Sequence, residues 1–150
     1  MKFVRITTTE HPNGLCGIVR GDGEIDLLTK GILDPVEATG HTISENDIVR
    51  YLPPIDPPNV LAVGRNYAAH AAEIGMGLPT APLLFIKAAT AVMGHGDDIV
   101  LPKIAPNEVD YEAELCVVIG KPAKHVGIED ALDYVFGYTC ANDVSARDCQ

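Results

Sequence analysis

Short apolar runs separated by turn-forming residues set the pattern of the chain. Residues 2–8 (KFVRITT) and 16–20 (CGIVR) read as strands, and Gly21-Asp22-Gly23 turns the second into 24–28 (EIDLL), which predicts a hairpin. Ser44-Glu45-Asn46-Asp47 has the form of a capping box and predicts a short helix through Leu52. The segment 53–58 (PPIDPP) carries four prolines, which suit neither a helix nor a central strand, so it reads as a linker. Beyond it, 60–63 reads as a buried strand. Asn66 is placed to cap a helix to Glu73, stopped by Gly75, and 82–87 (PLLFIK) reads as a further strand. Residues 99–101 are expected to be extended up to Pro102. The run 109–119 (VDYEAELCVVI), rich in β-branched residues, predicts the clearest strand. A helix over 129–136 and a strand over 137–141 follow, and 145–148 reads as the first turn of another helix. A helix ended after one turn has little propagation to offset its nucleation, so the chain is expected to be the front portion of a longer protein. This organisation predicts a small N-terminal domain over 1–52, the linker, and a larger domain over 59–150.

Composition narrows the class. The 150 residues suffice for one ordinary domain, or one with a small appendage. With 47% hydrophobic and 21% charged residues the chain reads as soluble and globular. Aromatic residues make up only 5%, with no Trp, which disfavours stacking platforms for single-stranded nucleic acid. A formal charge of -10 disfavours polyanions and anionic membranes as partners, but not a small anion held by a local pair of basic groups. No run approaches a transmembrane helix and residues 1–10 carry no signal-like apolar core. The cysteines at 16, 116, 140 and 149 have no zinc-site spacing and read as reduced thiols of a cytoplasmic protein.

Three groups of residues carry candidate chemistry. At a period of two, Glu112 and Glu114 point to one face of the strand, with Asp110 and Cys116 at the same parity. A lone Glu-x-Glu is more commonly a solvated strand face. A third carboxylate, Asp143, just past another strand, tilts the pattern toward a hard cation such as Mg2+, Mn2+ or Ca2+. On the expected helix, His70 and Glu73 share a face. They form either an exposed ion pair or a carboxylate-oriented imidazole suited to activating water. Arg147 and Gln150, three apart, suit a substrate carboxylate or keto oxygen, and Lys87 is either a strand-end lysine or an added point charge. No P-loop, no dinucleotide-binding glycine motif and no Gly-x-Ser-x-Gly elbow is present.

The ordered blocks Val63-Gly64-Arg65-Asn66-Tyr67-(x2)-His70-(x2)-Glu73, Pro82-Leu83-Leu84-Phe85-Ile86-Lys87, Tyr111-Glu112-Ala113-Glu114-Leu115 and Gly137-Tyr138-(x3)-Asn142-Asp143-Val144-Ser145-Ala146-Arg147-Asp148-(x)-Gln150 resemble the fumarylacetoacetate hydrolase family. The resemblance covers roughly 59–150, the front half of that family's catalytic domain, and 1–52 resembles the small N-terminal domain many members carry. It implies an α+β fold, a β-rich roll of stacked sheets, and a homodimer. It implies Glu112, Glu114 and Asp143 as ligands of Mg2+ or Mn2+, and His70 with Glu73 as a water-activating dyad. Lys87, Arg147 and Gln150 would line the substrate site. Arg65 stands where fumarylacetoacetase proper has a fourth metal carboxylate, which points to the acylpyruvate-type branch.

The expected activity is therefore metal-dependent hydrolysis of C–C bonds in small 2-oxo or 1,3-dioxo carboxylates of acylpyruvate or fumarylpyruvate type, with oxaloacetate decarboxylation open to the same site. Isomerase, hydratase and ureidoglycolate lyase activities of the same family are alternatives. So is a truncated, non-catalytic chain, because the family's further site lysine and Gly-Thr-Pro loop are not found in these 150 residues.

Overall fold

The computed structural model describes residues 1–67, 77 and 79–150. The expected helix, with His70 and Glu73, lies outside the described residues apart from its start at Asn66 and Tyr67. The chain divides into two compact units, Met1–Asp97 and Asp98–Gln150.

In the first unit, strands β1 (Lys2–Thr7), β2 (Leu15–Val19), β3 (Glu24–Leu28), β4 (Ala38–Ser44) and β5 (Arg50–Leu52) form one antiparallel sheet in the order β4-β3-β2-β1-β5. The expected hairpin is β2–β3, and Gly23 supplies the positive φ of 84° that its turn requires. Alternation along β1 and β3 sends Val4, Ile6, Ile25 and Leu27 to one face. There they form the core, with Leu15, Val19, Ile43 and Ile48 packed against it.

The helix expected through Leu52 does not form. Ser44 and Asp47 do make the capping box, but it opens a single 3-10 turn, Glu45–Asp47. The chain then extends: the amide of Val49 donates to the Thr7 carbonyl at 2.9 Å, and β5 pairs with the free edge of β1. A nine-residue helix is marginal alone, and β-branched Ile48 and Val49 weaken it further. A ladder on an open edge, with Ile48 against the core, is the better outcome. The proline-rich segment 53–58 falls within the first unit, where Arg5 donates to the Pro53 carbonyl at 3.1 Å and to Asp56 at 2.6 Å. Strands β6 (Val60–Gly64) and β7 (Leu83–Lys87) pair antiparallel, from Val60 opposite Lys87 to Gly64 opposite Leu83.

In the second unit the expected strand over 109–119 is divided. Strand β8 (Val109–Asp110) ends before Tyr111-Glu112, and β9 (Ala113–Ile119) begins after it. Each half has its own partner: β9 pairs with β10 (Val135–Asn142), and β8 with β11 (Ser145–Ala146). The expected helix over 129–136 is only a 3-10 turn, Ala131–Tyr134. Val135 and Phe136 instead enter β10, where Val135 stands opposite Ile119. Residues 99–101 belong to no strand, and 145–148 form β11 and the start of a 3-10 turn, Arg147–Cys149, rather than an α-helical turn. Among the described residues helical structure is confined to short 3-10 turns, so the architecture is β-rich.

Candidate active site

The two ladders of the second unit meet at a joint, and the joint gathers most of the expected site residues. Glu112 lies between β8 and β9, and Asp143 between β10 and β11, so both occupy breaks in regular pairing. The breaks face each other: the Asp143 amide donates to the Glu112 carbonyl at 2.9 Å, and the Glu112 amide donates to Asn142 Oδ1 at 3.0 Å. Glu114, one residue into β9, stands opposite Ala141, two residues before Asp143. Backbone pairing thus carries all three expected carboxylates to one end of the β9–β10 ladder.

Arg147 occupies the same corner. Its amide donates to the Glu108 carbonyl at 2.7 Å, which continues the β8–β11 pairing and aims the side chain back along β8. Its Nε donates to Asp110 Oδ2 at 2.9 Å, and its Nη1 lies 2.8 Å from Glu112 Oε1 and donates to Gln150 Oε1 at 2.8 Å. The hydrogen bond to Asp110, opposed by burial and reinforced by Glu112, holds the guanidinium above its ordinary pKa. The i, i+3 relation expected of Arg147 and Gln150 is present on the 3-10 turn. Arg147 and Glu112 are half-buried, and Asp143 Oδ1 is closed off from solvent.

The side chains are arranged differently from the expectation of a preformed ligand set. Among the described residues no three His, Cys, Asp or Glu side chains stand close enough to hold a metal ion. Glu112 Oε1 lies against Arg147 Nη1. As chemistry the three carboxylates supply the oxygen donors that a hard divalent cation takes. Lys87 ends β7 in the first unit, with its Nζ 5.8 Å from the Phe85 ring centre. Two residues of the corner carried no assigned role in the sequence. Asp110 shares the parity of Glu112 yet binds Arg147 from the other side of the strand break. Asn142 precedes Asp143, and its side chain, which caps the Glu112 amide, replaces a ladder bond lost at the joint.

Fold and corner together define a class: a β-rich domain that sets carboxylates and an arginine where two ladders part. The chain belongs to the fumarylacetoacetate hydrolase family, whose model, described as fumarylacetoacetate (FAA) hydrolase C-terminal, matches residues 59–150. It is 42% identical over 129 residues to an oxaloacetate tautomerase of Xenopus laevis named as mitochondrial, a match that covers 85% of this chain and 39% of that protein. Among solved structures it resembles 5-carboxymethyl-2-hydroxymuconate delta-isomerase from Mycobacterium smegmatis, with TM-score 0.87 and 37% identity over all of this chain and 57% of the other. It also resembles maleylpyruvate hydrolase from Sphingobium, solved with manganese(II) and pyruvate, with TM-score 0.73 and 26% identity over 98% of this chain and 60% of that one. The chain spans 32–40% of the length of the curated relatives first matched. No helix of the described residues is long and apolar enough to cross a membrane.

Proposed function

We propose that the full-length protein acts on small 2-oxo dicarboxylates of the oxaloacetate class and interconverts their keto and enol forms. The observation that carries this reading is the 42% identity with an oxaloacetate tautomerase across 85% of the chain. A divalent cation held by Glu112, Glu114 and Asp143 would supply Lewis-acid polarisation of the keto oxygen. Arg147, whose Nη1 donates to Gln150, would supply the guanidinium that takes the substrate carboxylate. On the family resemblance, Lys87 would add a point charge, and His70 with Glu73 would move the proton between carbon and solvent.

Hydrolysis of the C–C bond in acylpyruvates or fumarylpyruvate is the second reading. It is favoured by the resemblance to maleylpyruvate hydrolase and by the presence of both His70 and Glu73 in the sequence. The same dyad would then deliver water to the distal carbonyl, and the departing group would again be an enolate. Absorbance at an enol band separates the two readings. With Mg2+ or Mn2+, the full-length protein should hasten the approach of enol-oxaloacetate to keto–enol equilibrium, and a chelator should abolish the effect. Cleavage of an acylpyruvate without any effect on oxaloacetate would establish the second reading instead.

A further inference from the structure

A guanidinium held by its neighbours presents whichever nitrogen they leave uncovered, and at Arg147 the holding follows from strand register. Ser145 stands opposite Asp110 and Ala146 opposite Val109, and the Arg147 amide donates to the Glu108 carbonyl at 2.7 Å, so the pairing runs one residue beyond β11. At a period of two, Arg147, Glu108 and Asp110 fall on one face. Asp110 is then the diagonal neighbour of Arg147 across the pair, a spacing that a long side chain spans. The Arg147 Nε donates to Asp110 Oδ2 at 2.9 Å, while Nη1 donates to Gln150 Oε1 and lies 2.8 Å from Glu112 Oε1. Among the described residues Nη2 donates to none. Of the three partners Asp110 belongs to a strand, whereas Glu112 lies in the strand break and Gln150 follows the 3-10 turn. A short carboxyl on a paired backbone is the firmest of the three holds.

We propose that Asp110 is a positioning residue for Arg147, fixing Nε so that Nη2 is the donor presented to a carboxylate of a small 2-oxo dicarboxylate. The inference rests on the reading of Arg147 as the group that takes the substrate carboxylate, and it asks nothing of the cation. An ion pair whose carboxylate side chain is 57% exposed adds little to stability in water, so what the contact contributes is orientation. Without Asp110 the guanidinium would turn about its last bonds, and each binding event would have to fix it again at an entropic cost. The loss should therefore fall on substrate binding, and only by way of Arg147.

Steady-state tautomerisation of oxaloacetate by the full-length protein with Mg2+ tests this. Asp110→Ala should raise KM about tenfold, with kcat changed by less than about twofold and Tm close to wild type. Asp110→Asn keeps an acceptor oxygen at the same reach and should fall between the two, and it carries the test if the alanine variant does not fold. In an Arg147→Ala background, which itself should raise KM, neither substitution at Asp110 should have a further effect. An unchanged KM in Asp110→Ala, or an equal rise in KM with and without Arg147, would overturn the inference and leave the proposed function standing. A wild-type KM in Arg147→Ala would overturn the inference together with the carboxylate role of Arg147. Absence of tautomerisation by the wild type would overturn both the inference and the proposed function.

Discussion

Arg50 shows how a single side chain can join distant parts of the first unit. Its Nε donates to Asp97 Oδ1 at 2.8 Å, a second bond runs from Nη2 to Oδ2, and Gly94 adds its amide to Oδ2 at 2.8 Å. The hydrogen bond from Arg50, helped by that of Gly94, holds the Asp97 carboxyl below the usual carboxylate range. A depressed folded pKa means that the contribution to stability is present above the unfolded value, about 3.9, and is lost as pH falls through the folded value. Asp97→Asn in the full-length protein should therefore lower Tm at pH 7, with the gap to wild type narrowing below about pH 4. Thermal melts across pH 2–7 check it, and a gap that stays constant over that range would assign the loss to shape and not to charge.

Elements here are decided by their partners. The capping box at Ser44 and the run at 129–136 both have local helical character, yet each yields one 3-10 turn and passes into a strand. In each case an edge with unpaired backbone groups was available, on β1 for the first and on β9 for the second. Close approach between strands imposes its own demand at Gly17 in β2. A Cβ there would strike the Ile25 side chain, which is fully buried in the core, as well as the Asp26 carbonyl. Gly17→Ala should cost about 1–3 kcal/mol of stability, the usual range for overpacking. Denaturant unfolding of the full-length variant reads this directly, and an unchanged midpoint would show that the sheet can spread at no cost.

For the whole molecule, the notable property is bare apolar surface. Leu84 and Ile86 on β7 are 61% and 66% exposed, and Leu115 on β9 and Tyr138 on β10 are 65% and 60% exposed. Strands with apolar residues on both faces belong between two layers, and contiguous surface of this kind invites association. The relatives are longer than the part matched here, and faces of this kind call for a covering layer. The 150-residue chain prepared alone should bind a hydrophobic dye and elute as aggregate, whereas the full-length protein should do neither. A chain of 150 residues that stays monomeric and dye-free would show that these faces are covered within it.

Local signals sufficed for much of this structure. The strands β1, β2, β3, β6 and β7 follow from short apolar runs and the turn chemistry between them, as at Gly23. The motif blocks sufficed for the family, because a run such as Asn142-Asp143-Val144-Ser145-Ala146-Arg147-Asp148 is specific without any coordinates. Tertiary structure alone decided where the strand over 109–119 breaks. Nothing in its composition separates Asp110 from Ala113; the break arises because β11 claims one half and β10 the other. The same pairing decided that Glu112 faces Asp143 across a joint and that Arg147 reaches both Asp110 and Glu112. Propensity and periodicity act over a few residues, whereas the ladder partners and ion pairs of this joint link residues 16 to 37 apart. Which of those long-range contacts forms depends on every other strand in the sheet.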